Sequence, residues 1–220
     1  MKAMLLAAGR GERMGELTAH RPKPLLEVAG QTLLSYQIGR LVAAGVEEIV
    51  INVSYHADMI RAAVRELNPA VPIQFSDEQP AALETAGGIV QALALLGPQP
   101  FWLVSCDVVT DFSLQELRLP AGKQGCLLMV PNPTHHPQGD FGVDERGNLD
   151  FSSHHRTFGG IACLDPSLFA GLAPGFRRIR PVLTDAIAAG RLAAHCYEGA
   201  WLDVGTPERL SLAAQSCSNR

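Results

Sequence analysis

Apolar positions along this chain follow two rhythms. Short apolar runs at Ala3 to Ala8, Ile49 to Val53, Ile73 to Phe75 and Phe101 to Val104 alternate with stretches where apolar residues recur at every third or fourth position. A short continuous run suits a strand buried on both faces, and the wider spacing suits a helix with one apolar stripe. Leu33, Leu34, Ile38, Leu41 and Val42 carry the helical spacing and stop at Gly45, which suits the left-handed position after a helix. Ala57 to Leu67 reads as a second helix, halted by Asn68-Pro69, and Thr85 to Leu96 as a third, halted by Gly97-Pro98. The resulting order is β-α-β-α-β-α-β. It predicts an α/β fold with a mostly parallel sheet, helices on both faces, and ligands beyond the carboxyl ends of the strands.

The second half is less regular. Strands are expected at Cys126 to Val130, Phe158 to Leu164, near His195-Cys196-Tyr197 and at Trp201-Leu202-Asp203, with a helix after Pro181 and a last one from Pro207. Thr206 suits the cap of that last helix, Pro207 its first position, and Glu208 complements its positive end. The chain past Ser216 is expected to fray. Asp111-Phe112-Ser113 fits a turn before a helix, a structural place for Asp111. With no repeat, low-complexity tract or linker in the sequence, one domain over 1–220 is expected.

Composition narrows the function classes. The 220 residues carry 18 Lys+Arg against 22 Asp+Glu, a net charge of −4, and 47% are hydrophobic. Dispersed basic residues leave no stripe for a nucleic-acid backbone, so no nucleic-acid partner is expected. The apolar start after Lys2 ends at Gly9-Arg10-Gly11, too short for a signal peptide, and no stretch reaches membrane-spanning length. A cytoplasmic protein without a membrane partner is the expectation. The 5 cysteines form no Cys-x-x-Cys pair and read as reduced, mostly buried thiols.

Chemistry concentrates in Leu6-Ala7-Ala8-Gly9-Arg10-Gly11-Glu12-Arg13-Met14. Glycines at the end of a buried strand permit tight turns and free main-chain N–H groups for a phosphate. Neither a dinucleotide fingerprint nor a P-loop fits the spacing. Instead Arg13 closes the loop, and Lys23 is held extended between Pro22 and Pro24. A forked guanidinium and a compact ammonium together suit a triphosphate. Asp107 and Asp203 each follow an apolar strand, and two carboxylates meeting on the ligand side would hold a hard divalent cation.

This pattern, with Pro22-Lys23-Pro24-Leu25, Glu84-Thr85-Ala86-Gly87-Gly88, Asp107 and Trp201-Leu202-Asp203-Val204-Gly205-Thr206-Pro207-Glu208, resembles the sugar-1-phosphate nucleotidyltransferases over nearly the whole chain. The short length, Gly139-Asp140-Phe141 and His135-His136 are most similar to the N-acetylmuramate-1-phosphate uridylyltransferases of bacterial cell-wall recycling. The resemblance implies a Rossmann-like, GT-A-like three-layer sandwich with a mixed central sheet, a nucleotide-binding half (1–110) and a sugar-phosphate-binding half (111–220). It implies Mg²⁺ on Asp107 and Asp203, Lys23 at the reacting centre, and Arg13 on the leaving pyrophosphate. It further implies a nucleotide cradle at Ala8, Gly9 and Gly11, base and ribose contacts at Gln79, Thr85 and Gly87, and sugar contacts at Gly139, Asp140 and Gly160. The implied substrates are a nucleoside triphosphate, UTP, and a sugar 1-phosphate, that of N-acetylmuramate, in a monomer or small homo-oligomer.

Several readings stay open. Guanylyl transfer to mannose 1-phosphate is the nearest rival, and a non-catalytic nucleotide-sugar sensor on the same fold is the other. Gly159-Gly160 fits tight strand packing equally well, and Arg156, Arg178 and Arg180 are alternatives for a lactyl carboxylate. Cys106 stands where relatives commonly carry glycine, which leaves the setting of Asp107 open. His135, His136, His154 and His155 read as surface-loop histidines, because no cysteine or acid stands at zinc-site spacing.

Overall fold

Successive side chains of the apolar runs leave the backbone on opposite sides. In the computed structural model, which describes residues 1–151 and 155–218 with side chains as far as 215, Ala3, Leu5, Ile49, Ile51 and Val104 enter one core with Leu34, Ile38 and Leu41. Met4, Val50, Phe101 and Leu103 enter a second core with Ala86, Ile89 and Ala92. Strands apolar on both faces are satisfied only between two helical layers. His154 and the expected fraying past Ser216 lie outside the fully described residues.

The first half comprises β1 (Ala3–Leu6), a hairpin of β2 (Glu27–Val28) and β3 (Gln31–Thr32), α1 (Leu33–Ala43), β4 (Ile49–Val53), α2 (Ala57–Leu67), β5 (Ile73–Asp77), α3 (Glu84–Leu96), β6 (Phe101–Ser105) and β7 (Val108–Thr110). The second half adds β8 (Gly125–Val130), β9 (Phe141–Val143), β10 (Leu149–Asp150), β11 (His155–Leu164), α4 (Ile179–Ala188), β12 (Leu192–Cys196), β13 (Trp201–Asp203) and α5 (Pro207–Ser218). α4 begins at Ile179, before Pro181, since a proline in the first turn removes an N–H that has no intrahelical partner.

The main sheet has 9 strands in the order β10-β9-β11-β6-β1-β4-β5, with β8 pairing β11 and β12. β6, β1, β4 and β5 are parallel, and antiparallel pairing enters where β11 joins β6. The chain builds outward from β1 through β4 to β5, then returns to set β6 on the other side of β1. Connections diverge at such a reversal and leave a crevice beyond the carboxyl ends of the strands.

Past β6 the chain turns through Cys106 and Asp107 into β7, which pairs with β13 as a separate antiparallel ribbon. Asp203 stands opposite Val108, and Val204 N–H donates to the Asp107 carbonyl at 2.8 Å. Fully buried Gln37, on α1, donates its amide to the carbonyls of Ser105, at 3.3 Å, and Val108, on either side of Asp107. Arg40 donates to the Gln37 side-chain oxygen at 3.0 Å, which fixes the amide's orientation. Gln37→Leu keeps the bulk but leaves these carbonyls without a donor, so urea unfolding should show a loss of about 1–3 kcal/mol.

Candidate active site

The glycine loop crosses the carboxyl end of β1. Gly11 has φ 68°, and a Cβ there would lie 3.0 Å from Lys23 Cβ and 3.2 Å from Thr18 Cγ2. Glycine therefore both permits the left-handed turn and lets Lys23 lie against the loop. The Thr18 hydroxyl secures the turn by donating to the Gly11 carbonyl at 3.0 Å.

The loop borders a cavity of about 560 Å³, lined also by Lys23, Asn52, Glu78, Thr85 and Asp107. A second cavity of about 320 Å³ is lined by His135, His136, Gly160, Trp201 and Asp203. Arg13, Ser105 and Asp107 line both. Arg13 and Asp107 thus stand on the wall that the two cavities share, with Lys23 in the first cavity and Asp203 in the second.

Each aspartate is met by a cation. Lys23 Nζ donates to the Asp107 carboxylate. Arg209 Nη1 lies 2.6 Å from both oxygens of Asp203, and His135 Nε2 lies 3.1 Å from one of them. Arg209 is only 8% exposed. A Cβ on Gly205 would overlap the Arg209 guanidinium and come within 3.3 Å of Arg13 Nη2, so this glycine lets both arginines close over the main chain. The donor set fits Mg²⁺. Two carboxylates joined through one ribbon both face the second cavity. That suits an ion that keeps waters and phosphate oxygens as its remaining ligands.

Of the expected nucleotide residues, Ala8, Gly9, Gly11 and Thr85 line the first cavity, with Arg13 and Lys23. Gln79 and Gly87 stand outside its wall: Gln79 is exposed, and a Cβ on Gly87 would overlap the Gly175 carbonyl. On the sugar side Gly160 lines the second cavity, with φ 73° and Ser105 Oγ 3.0 Å from its Cβ position. Its place in an irregular stretch of β11, between Phe158 and Ala162, serves close packing as well. Gly139 and Asp140 do not line that cavity. Gly139, at φ 64°, packs against the Arg156 carbonyl, 2.9 Å from its Cβ position. Asp140 accepts from Phe158 N–H at 2.9 Å and from Arg180 at 3.0 Å, so it braces the strand behind the cavity. Arg156 pairs with Glu198 at 2.6 Å, and Arg178 is exposed.

His135 and His136 lie in a loop and are about 40% exposed, as expected of surface histidines, yet both also line the second cavity, and His136 Nε2 lies 3.3 Å from Asp140 Oδ1. Cys106 is buried in the wall of the first cavity beside Asp107 and is accommodated there. Burial pushes its thiol well above the usual range, the Asp107 charge adds to this, and Lys23 opposes it. Sequence reasoning missed Asn52, Glu78 and Arg209. Glu78 is 1% exposed and accepts from Asn52 Nδ2 at 2.7 Å and Leu83 N–H at 2.6 Å. The signal available for Asn52 was a polar residue inside the apolar run of β4. Arg209 and Glu78 left none beyond their type.

Residues 3–197 match the family model described as a MobA-like NTP transferase domain. The chain belongs to this family. An N-acetylmuramate alpha-1-phosphate uridylyltransferase of Neisseria meningitidis is 42% identical over 97% of this chain and 96% of its own length. A mannose-1-phosphate guanyltransferase of Aspergillus fumigatus is 31% identical over 94% of this chain and 62% of its own length. These relatives place the enzyme among the sugar-1-phosphate nucleotidyltransferases. HddC from Yersinia pseudotuberculosis, solved in complex with GMP-PN, superposes with a TM-score of 0.82 at 19% identity, covering 98% of this chain and 99% of its own, and so shares the fold.

The raised Cys106 thiol stays protonated at pH 8. Iodoacetamide should leave it unmodified in the native enzyme and label it after denaturation, as read by peptide mass spectrometry.

Proposed function

We propose that this enzyme transfers the uridylyl group of UTP to N-acetylmuramate 1-phosphate and releases pyrophosphate, a nucleotide-sugar synthesis step in cytoplasmic peptidoglycan recycling. The observation that carries the reading is the Lys23–Asp107 pair in the cavity bordered by the glycine loop, with Asp107 also on the wall of a second cavity lined mostly by the second half of the chain. Both volumes lie within the range of small-molecule sites, about 300–1,000 Å³. The choice of UTP and the muramate ester is supported by the relative that is 42% identical over almost the full length of both chains.

The reaction needs no general base, because a phosphate oxygen is already anionic at neutral pH. It forms a bond to the α-phosphorus as the bond to the bridging oxygen of pyrophosphate breaks. The main chain at Ala8, Gly9 and Gly11 offers N–H groups to the triphosphate. Lys23 presents its ammonium to the phosphorus that changes partners, and Arg13 forks onto the pyrophosphate that departs. Asp107 and Asp203 would hold Mg²⁺, which supplies Lewis-acid neutralisation of the phosphate oxygens. In this division of labour residues 1–110 supply most of the nucleotide cavity and the second half most of the sugar-phosphate cavity. Of the arginines considered for the lactyl carboxylate, Arg180 is tied to the second cavity through Asp140, whose Oδ1 also approaches His136.

The test crosses four nucleoside triphosphates with the 1-phosphates of N-acetylmuramate, N-acetylglucosamine, glucose and mannose, and follows pyrophosphate release. Turnover confined to UTP with the muramate ester is expected. GTP with mannose 1-phosphate as the productive pair would overturn the substrate assignment. Lys23→Ala should lower kcat by about 10²–10³, the loss typical when one preorganised charge-stabilising donor is removed.

A further inference from the structure

Phe176 is the most exposed large apolar side chain among the described residues, at 66%. A lone exposed apolar residue is ordinary on a protein surface, but this one stands in the wall of the first cavity. Among the described residues only Phe176 and Gly205 reach that wall from beyond residue 110.

The backbone that carries Phe176 is fixed on both sides. Gly87 N–H donates to the Arg177 carbonyl at 3.1 Å, and Arg177 N–H donates to the Leu83 carbonyl at 2.8 Å. The absent Cβ of Gly87 makes room for the Gly175 carbonyl. The chain of hydrogen bonds continues inward. Leu83 N–H donates to Glu78 Oε2 at 2.6 Å, Asn52 donates to Glu78 Oε1 at 2.7 Å, and Ala7 N–H donates to Asn52 Oδ1 at 2.8 Å. Phe176 is thereby held in register with the glycine loop.

Its place along the cavity follows from the strand order. Arg13 and Asp107 mark the end shared with the second cavity, at β6. Glu78 follows β5, three strands away in the order β6-β1-β4-β5, which at strand spacings of about 4.8 Å is roughly 14 Å. A nucleotide whose phosphates lie at β6 therefore lays its base toward β5, where Leu83 holds the Phe176 loop. We propose that Phe176 supplies the aromatic face on which the nucleobase of the donor stacks. This rests on the nucleotidyl-transfer reading above. Stacking uses the π-face common to all bases, so Phe176 contributes affinity and position, and polar neighbours choose among bases.

The test is equilibrium binding of UTP and of inorganic tripolyphosphate, which carries the charge without a base, to the wild-type enzyme, Phe176→Ala and Phe176→Trp. Phe176→Ala is expected to weaken UTP on the order of tenfold, within the range of base–aromatic stacking, and to leave tripolyphosphate unchanged. Phe176→Trp should restore UTP binding, with indole fluorescence that UTP quenches and tripolyphosphate does not, measured against the wild type with its 2 tryptophans. Unchanged UTP affinity in Phe176→Ala would overturn the inference while leaving nucleotidyl transfer intact. Equal losses for both ligands would overturn it as well and make Phe176 a packing residue of its loop. A wild-type enzyme that binds no nucleoside triphosphate would sink both readings.

Discussion

Asp107 and Asp203 bring two partly buried carboxylates onto the wall of one cavity, and a carboxylate that loses hydration needs a partner, which each finds in a cation folded in beside it. The ribbon of β7 and β13 creates this demand by bonding Val204 N–H to the Asp107 carbonyl. The local backbone is arranged around answering it. Gly11 turns left-handed so that Lys23 can reach Asp107. Gly205 gives up a side chain so that Arg209 can close on Asp203. Thr206 caps α5, its hydroxyl accepting from Arg209 N–H at 3.4 Å, and so fixes the turn of helix from which the guanidinium extends.

The same cations suit the chemistry. Lys23 and Arg209 neutralise aspartates while no phosphate is present, and phosphates entering the cavities bring charge that competes for them. Lys23 side-chain exposure is 13% and that of Arg209 10%, so their charges are weakly screened and act strongly on whatever anion approaches. A divalent cation on the two carboxylates would free both groups for phosphate oxygens.

Legibility in the sequence depended on whether a signal was local and periodic. Ile49–Val53 and Ala57–Leu67 match the expected bounds because continuous apolarity and helical spacing are unmixed there. The β2–β3 hairpin escaped notice because Ala29 and Gly30 take its turn positions at φ 50° and 82°, where Asn-Gly is the usual marker. β7 is three residues long, and its pairing with β13 joins Val108 to Asp203 and Thr110 to Trp201, so far apart in the chain that no window could contain it. For the site, Arg13, Lys23, Asp107 and Asp203 were legible as charged residues at strand ends or in a proline-held loop. Asn52, Glu78 and Arg209 were not, because single polar residues carry no period and their meaning lies in what the fold brings against them.

The motif residues that stand away from the cavities are informative about why glycine occurs where it does. A glycine can let the backbone approach a ligand, or let one part of the protein approach another. The sequence does not separate these cases, and Gly87 and Gly139 are of the second kind. Gly87 seats the Gly175–Arg177 loop that carries Phe176 to the nucleotide cavity. Gly139 sits tight against the Arg156 carbonyl, beside the 2.8 Å bond from Asp140 N–H to that same oxygen. The Asp140 carboxylate in turn holds Phe158 N–H, one residue before the glycines that line the second cavity. Residues expected to touch substrate thus stand one step removed, fixing the main chain of residues that line the cavities.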